Sequence, residues 1–287
     1  NMSLQNSPKN IHHLSTNNMT HYNRLSEVSY NEEITYWCFR VKIHRMYPFY
    51  SYVTGSGPHW TYILADEDGT KMEMTIYGGY EDRFRGLEKQ EGKWVEIFRV
   101  DIRRAYPGFK AINSRFTLHA TRHTQVHIID PVNNRLYMDF KNIHEIPHMN
   151  HMDRNYPIDT MGVVFNKESH FDDPVSPKMV FTVLHKGQHS RIKCVATGDH
   201  AYAFRDGLEN MRGRGQVIVV LKMWRLSKTF TKLIYTCYFG PPELWLETEG
   251  GLSDFRFNPH LSEVEEFIQS VNNSDPYGRR HGAIGPL

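Results

Sequence analysis

Apolar and polar residues alternate most cleanly between Trp60 and Tyr77. From Lys71 onward, Met72, Met74 and Ile76 fall on one side, and Lys71, Glu73, Thr75 and Tyr77 on the other, which is the period of a half-buried strand. The run before it, from Trp60 to Ala65, is joined to it through Asp66, Glu67, Asp68 and Gly69. The Asp-Gly step supplies a positive-φ turn, so the pair is predicted to be a β-hairpin with one apolar and one polar face. The polar face ends in Tyr77, a ring that either plugs the edge of a core or offers a flat platform to something in solvent.

The same period recurs along the chain. Ser3 to Asn23 is polar, rich in Asn, Ser and His, and without periodicity, so residues 1–23 are expected to be disordered. Trp37, Phe39, Val41 and Ile43 alternate with Cys38, Arg40, Lys42 and His44 as a first strand. A loop is expected from Arg45 to Pro58, and its Tyr47, Phe49, Tyr50 and Tyr52 are too many aromatics for a surface loop to bury. Tyr80, Phe84 and Leu87 have helical spacing; Trp94 to Ile102 alternates again, and further strands are predicted over 109–113 and 116–119. Pro131 to Asp153 reads as a linker, with an amphipathic piece from Arg135 to Ile146. The order then restarts: a strand from Tyr156 to Phe165, a hairpin of 179–184 and 190–197, a helix from Tyr202 to Met211, and strands over 216–224 and 232–239. Last come a helix over 259–271, with Ser262 and Glu265 as a capping box, and a loose tail over 272–287.

Composition narrows the function. Hydrophobic residues make up 39% of the 287, enough for cores on the small side, while aromatics reach 13%, more than such cores absorb. Lys and Arg exceed Asp and Glu by only 34 to 32, so no global field draws the chain onto a polyanion and any basic surface must be local. Cys38, Cys194 and Cys237 are odd in number and lack C-x-x-C spacing, which argues for a reducing compartment and small core residues rather than disulfides or a zinc ribbon. His144, His148 and His151 have no carboxylate or cysteine partner to complete a site, so neither a metal nor a cofactor is expected. A phosphate loop, an H-E-x-x-H helix and a G-x-S-x-G elbow are all missing from the sequence, so no enzyme and no small-molecule substrate is expected. With no apolar run of membrane length and no signal-peptide core, the expectation is a soluble intracellular protein with no membrane partner.

Five strands with a helix between the third and fourth is the order of an oligonucleotide/oligosaccharide-binding barrel, or OB-fold. The predicted fold is mostly β: two tandem OB-fold five-stranded Greek-key barrels, each with a short helix, plus a C-terminal helix. The first barrel is placed over 24–130, the linker over 131–154, and the second barrel over 155–258. The pieces FRVKI, LADEDG, MEMTIYG and RVDIRRAYPGFKAINSRFTL, in that order and spacing, resemble the first high-affinity DNA-binding domain of the large subunit of replication protein A. YPIDTMGVV and FRFNPHLSEVEEF resemble the start and the exit of that subunit's second such domain. The resemblance covers about residues 25 to 271 and stops short of the family's zinc-containing third domain, whose cysteine ligands are missing from this sequence.

The resemblance implies single-stranded DNA as partner, bound in replication, repair or recombination, together with protein partners and a nuclear location. Its two base-stacking aromatics fall on Tyr77 and Phe109, each able to offer a flat π surface. Lys71, Arg103, Arg104 and Lys110 lie close enough in sequence to reach phosphates. Tyr50 falls where the family has an aromatic, but Pro48 and Thr54 replace its backbone-clamping arginines. In the second half the first stacking position is Thr197, which cannot stack; the second falls at Thr229 or Phe230, with Phe230 preferred and Arg225 and Lys228 beside it. Two other readings stay open: an interaction scaffold of weak affinity within a DNA-processing complex, and an RNA ligand, since stacking does not distinguish the sugar.

Overall fold

The computed structural model describes residues 20–29, 36–51, 53–76, 79–105, 111–185, 187, 189–229 and 243–274. The chain divides into two compact units, Asn1–Tyr137 and Met138–Leu287, each built on one sheet.

In the first unit the strands are β1 (Cys38–Phe49), β2 (His59–Asp66), β3 (Lys71–Ile76), β4 (Trp94–Phe98), β5 (Asp101–Arg104), β6 (Phe116–His119) and β7 (Gln125–Ile129). Their order in the sheet is β5-β6-β3-β2-β1-β4-β7. β4 and β5 are two parts of one bent strand, broken at Arg99, whose φ is 58°. The first part pairs with β1 and the second with β6, so the sheet rolls into a barrel. β6 and β7 are likewise two parts of the closing strand. The predicted hairpin is found as predicted: Trp60 lies opposite Ile76 and Ala65 opposite Lys71, with Met72, Met74 and Ile76 buried against Phe39, Val41, Tyr62 and Leu64.

The turn of that hairpin is more than a turn. Asp66 is almost fully buried. One of its carboxylate oxygens accepts from the N–H groups of Asp68 (3.1 Å) and Thr70 (3.0 Å), the other from that of Leu25 (2.9 Å). A buried carboxylate is tolerated only when satisfied in this way, and here it pins the entry segment, through buried Leu25, to the barrel.

The second unit repeats the pattern with β8 (Ile158–His170), β9 (Lys178–His185), β10 (Ser190–Thr197), α1 (Asp199–Asn210), β11 (Ile218–Thr229), β12 (Glu243–Glu247), β13 (Asp254–Phe257) and α2 (Ser262–Ser274). Its order is β12-β10-β9-β8-β11-β13, and β12 also pairs with β11 and closes the barrel. The parallel pairing of β10 with β12 matches that of β3 with β6, so the domain-scale repeat is a repeat of topology. The core here is aromatic: Phe181 stacks on Phe204 at 4.0 Å and meets Trp224 edge-on at 5.9 Å. In the middle of α1, Gly207 is required by packing, since a Cβ there would lie 2.6 Å from the Phe257 ring. Val264, Phe267 and Val271 of α2 cover Met161, Val163, Ile218 and Val220 on the outside of the barrel.

Several expectations need correction. β1 continues through Arg45 to Phe49, so Tyr47 and Phe49 are strand residues opposite Thr61 and His59, and the loop begins only at Tyr50. The predicted helix over 80–90 is two 3-10 turns, Glu81–Phe84 and Leu87–Lys89, interrupted at Gly86; Phe84 and Leu87 are buried as expected. The predicted linker is packed. Tyr137 is buried with Trp94 and Ala65 in the first unit, whereas Ile143 and Ile146 of a 3-10 turn join the core of the second. Of the segment expected to be disordered, Tyr22 and Asn23 are fastened to Glu96 and Cys38. β12 was not expected as a separate strand, β13 falls on the FRF piece that resembles a strand-to-helix exit, and the strand predicted over 232–239 lies outside the described residues.

Candidate functional site

In the first barrel the outward residues of five strands line up in rows. One row runs Tyr47, Thr61, Thr75, His119, Asp101 across β1, β2, β3, β6 and β5. The next, in the same register, runs Arg45, Ile63, Glu73, Thr117, Arg103. This is the polar side of the predicted hairpin, widened by its neighbours.

Glu73 sits in the middle of it. Its carboxylate accepts from the Tyr47 hydroxyl at 3.1 Å and from the Ala111 N–H at 3.3 Å, which ties the end of the β5–β6 connection down onto the sheet. The His119 ring bonds Thr117 at 2.9 Å. Burial, and secondarily the Arg103 guanidinium, push its pKa down to about 4 against the opposing pull of Asp101, so the face carries a neutral imidazole at neutral pH. Arg45 is held by Glu91 at 3.1 Å.

One end of the face is an aromatic rim. Tyr50 is 60% exposed, and the Phe49 and His59 rings lie 5.3 Å apart. His59 is fixed between Ser56 (3.0 Å) and Glu81 (2.9 Å), and Glu81 also accepts from the Gly79 N–H at 3.0 Å. Gly57, at φ 146°, lets the loop close over Tyr50: a Cβ there would come within 2.8 Å of the Tyr50 ring and 2.9 Å of the Phe49 carbonyl oxygen.

The expected site residues sort unevenly against this geometry. Tyr77, Phe109, Lys110 and Phe230 lie outside the described residues. Tyr50 is on the rim. Lys71 shares the face, but four residues along β3 from Thr75, about 13 Å away. Arg103 and Arg104, both exposed, fall on opposite sides of β5. Arg103 stands opposite Thr117 on the outer face, and Arg104 stands opposite Phe116, on the side that packs toward the core. In the second barrel Arg225 is tied to the Glu249 carboxylate and to the Asn155 carbonyl (2.9 Å), with its side chain only 20% exposed. Lys228 is exposed but lies three residues further along β11, on the opposite side of the strand from Arg225. Thr197, the position expected to lack stacking, is occupied structurally: its N–H and its hydroxyl both bond the Thr248 hydroxyl at 3.0 Å. His119 was missed, and Tyr47 and Glu73, read as a loop aromatic and a polar-face residue, were not singled out, although extending the Glu73–Thr75 alternation onto the strands beside it would have joined all three.

Neither Cys38 nor Cys194 offers a nucleophile. Burial pushes Cys38 up to about 12 and raises Cys194 further. Among the described residues, no group of three or more His, Cys, Asp or Glu side chains comes together as a metal would require.

With this geometry in view, the chain can be set beside known proteins. A replication protein A heterotrimer bound to single-stranded DNA superposes on 91% of this chain with a TM-score of 0.56 at 15% identity, the chain spanning 56% of that neighbour's length. The fold is a pair of OB barrels. Weaker likenesses are to DNA binding domain A of S. cerevisiae replication protein A (17% identity, 39% of this chain and 97% of that one, TM-score 0.29) and to a deletion mutant of the Thermus aquaticus single-stranded DNA binding protein (12%, 78% and 97%, 0.21). A family model described as a domain of unknown function, DUF223, matches residues 28–148. No curated protein matches the sequence.

Proposed function

We propose that this protein is a divergent relative of the replication protein A large subunit, that it binds single-stranded DNA without catalysing a reaction, and that the outer face of the first OB barrel is its contact surface. The observation that carries this reading is the rim. An exposed Tyr50 and the Phe49–His59 pair stand at one end of the outer side of the sheet, where β3 leads in sequence directly into Tyr77. Tyr77 and Phe109 then stack on bases at about 1–3 kcal/mol each, without regard to base identity, and Arg103 contacts phosphate. The setting is one where single strands are exposed, in replication, repair or recombination within the nucleus, alongside protein partners.

Fluorescence anisotropy with labelled oligo-dT, the matching duplex and RNA, each at two salt concentrations, tests this. Oligo-dT is expected to bind more tightly than duplex, and Tyr77→Ala with Phe109→Ala to weaken it at least tenfold. A wild type that does not prefer single strands, or a double variant that binds equally well, sinks the proposal. A second reading, a protein-docking scaffold of weak nucleic-acid affinity, draws on Glu73 at the centre of the face and on Arg225 being held by Glu249. Binding to neither DNA nor RNA would favour it.

A further inference from the structure

Gly-Arg-Gly occurs once in the sequence, at Gly213-Arg214-Gly215, in the connection between α1 and β11. Ending the helix explains only part of it. A helix is commonly stopped by one residue in the left-handed region, usually glycine, and Gly213 (φ 81°) supplies it, with the Met211 and Arg212 N–H groups closing the last turn onto Leu208 and Glu209. Gly215 is left-handed as well (φ 80°), which capping does not require. Arg214 therefore stands alone between two left-handed glycines. Its own N–H bonds the Met211 carbonyl at 3.2 Å, so the segment is an ordered turn.

The two arginines of this turn differ. Arg212 follows half-buried Met211, and its guanidinium lies 3.2 Å from the Glu209 carboxylate. Arg214 is exposed, and among the described residues its guanidinium has no hydrogen bond, ion pair or ring contact. Its surroundings are open too: a Cβ added at Gly213 would meet no atom within 4 Å. These features match what an enzyme that modifies arginine needs. A guanidinium is always charged in water, so it becomes a nucleophile only in a pocket whose carboxylates take its proton. The side chain must enter that pocket at full length, and flanking residues without a Cβ let the backbone come up to its mouth. A guanidinium with no partner enters without first breaking an ion pair.

We propose that Arg214 is a methylation site, modified by an arginine methyltransferase that reads a guanidinium between glycines. A terminal guanidinium nitrogen attacks the methyl carbon of a sulfonium donor, S-adenosylmethionine. The N–C bond forms as the C–S bond breaks, the thioether leaves with the electron pair, and the nitrogen gives its proton to the enzyme's carboxylate. Methylation keeps the positive charge but removes a donor and blocks bidentate bonding to a carboxylate or a phosphate. The modification therefore changes what this turn can grip while the charge of the chain stays the same. It stands independently of the single-strand reading given above.

The test incubates the full folded chain with a purified arginine methyltransferase and isotope-labelled S-adenosylmethionine, beside a short Gly-Arg-Gly peptide that the same enzyme methylates, and locates the label by peptide mass spectrometry. Label is expected on Arg214. Arg214→Lys should remove it, and Arg212→Lys should leave it within about twofold, because the exposed Arg212–Glu209 pair holds little. Both substitutions are at exposed positions, outside the cores. Label confined to Arg212, or to Arg279 and Arg280 in the tail, overturns the proposal. So does a folded chain that takes no label while the peptide is methylated. Label that reaches Arg214 only after unfolding in urea overturns it as well, since the turn would then be hiding the guanidinium rather than presenting it.

Discussion

The two barrels share a topology but distribute chemistry over it in opposite ways. On the first, the central strands carry an acid: Glu73 occupies the middle of the outer face and fastens Tyr47 and Ala111. On the second, the charged residues of the central strands β9 and β10 are all cations, Lys178, Arg191 and Lys193, and the outward aromatic rings stand on the flanking strands, as Phe165 and Trp245. Even the ends differ, since β3 runs on in sequence to Tyr77, while β10 ends in the mutual hydrogen bonds of Thr197 and Thr248. The rows are set by backbone pairing, which both barrels have, so one scaffold can move its aromatic and charged positions from strand to strand without changing the fold.

The largest effect that would test the independence of the two barrels is in their cores. Phe181 stacks on Phe204 and abuts Trp224, and no first-unit residue belongs to that cluster. Phe181→Ala should cost about 3–5 kcal/mol, with hydrogen exchange quickening in β8–β11 and α1 and unchanged in β1–β4. Equal loss of protection in both units would mean that they unfold as one.

A smaller effect separates the faces by pH. His119 is held neutral down to about 4, whereas an unfolded histidine titrates near 6.5. Below about pH 6.5 the unfolded chain therefore takes up a proton that the native chain refuses, so this contribution is intact above 6.5 and is lost as the pH falls toward 4. Allowing for solvent screening of a partly exposed ring, the loss is about 1–2 kcal/mol. Urea unfolding at pH 7 and pH 5 should show a smaller drop for His119→Gln than for wild type. Equal drops would place His119 in water rather than among Arg103, Asp101 and Thr117.

What the sequence made legible was local. The hairpin was readable because period two and an Asp-Gly turn both act within a few residues, and the repeat was readable because strand order survives when identities do not. Asp66 was readable as a turn residue but not as the buried acceptor of three N–H groups, since one of its donors, Leu25, is 41 residues away. Arg103 and Arg104 looked like one basic patch by adjacency, yet strand alternation sends them to opposite sides. Phe165 and Trp245 could not be associated at all: 80 residues and three strand pairings separate them, and only the register sets them in one row.

The smallest and most discriminating test concerns the acid on the first face. Glu73→Gln keeps a carbonyl oxygen able to accept from Tyr47 and Ala111, so the rows and the end of the β5–β6 connection should hold their places and stability should change little. It removes a negative charge from the centre of a face proposed to meet a polyanion. At low salt, affinity for short oligo-dT should therefore rise about two- to fivefold, on the order of 0.5–1 kcal/mol for one partly screened repulsion. The gain should fade as salt shortens the reach of that repulsion. If affinity instead falls at every salt concentration while the fold is retained, the Glu73 charge itself supports the bound state. The proposed repulsion between Glu73 and a strand crossing β3 would then be wrong.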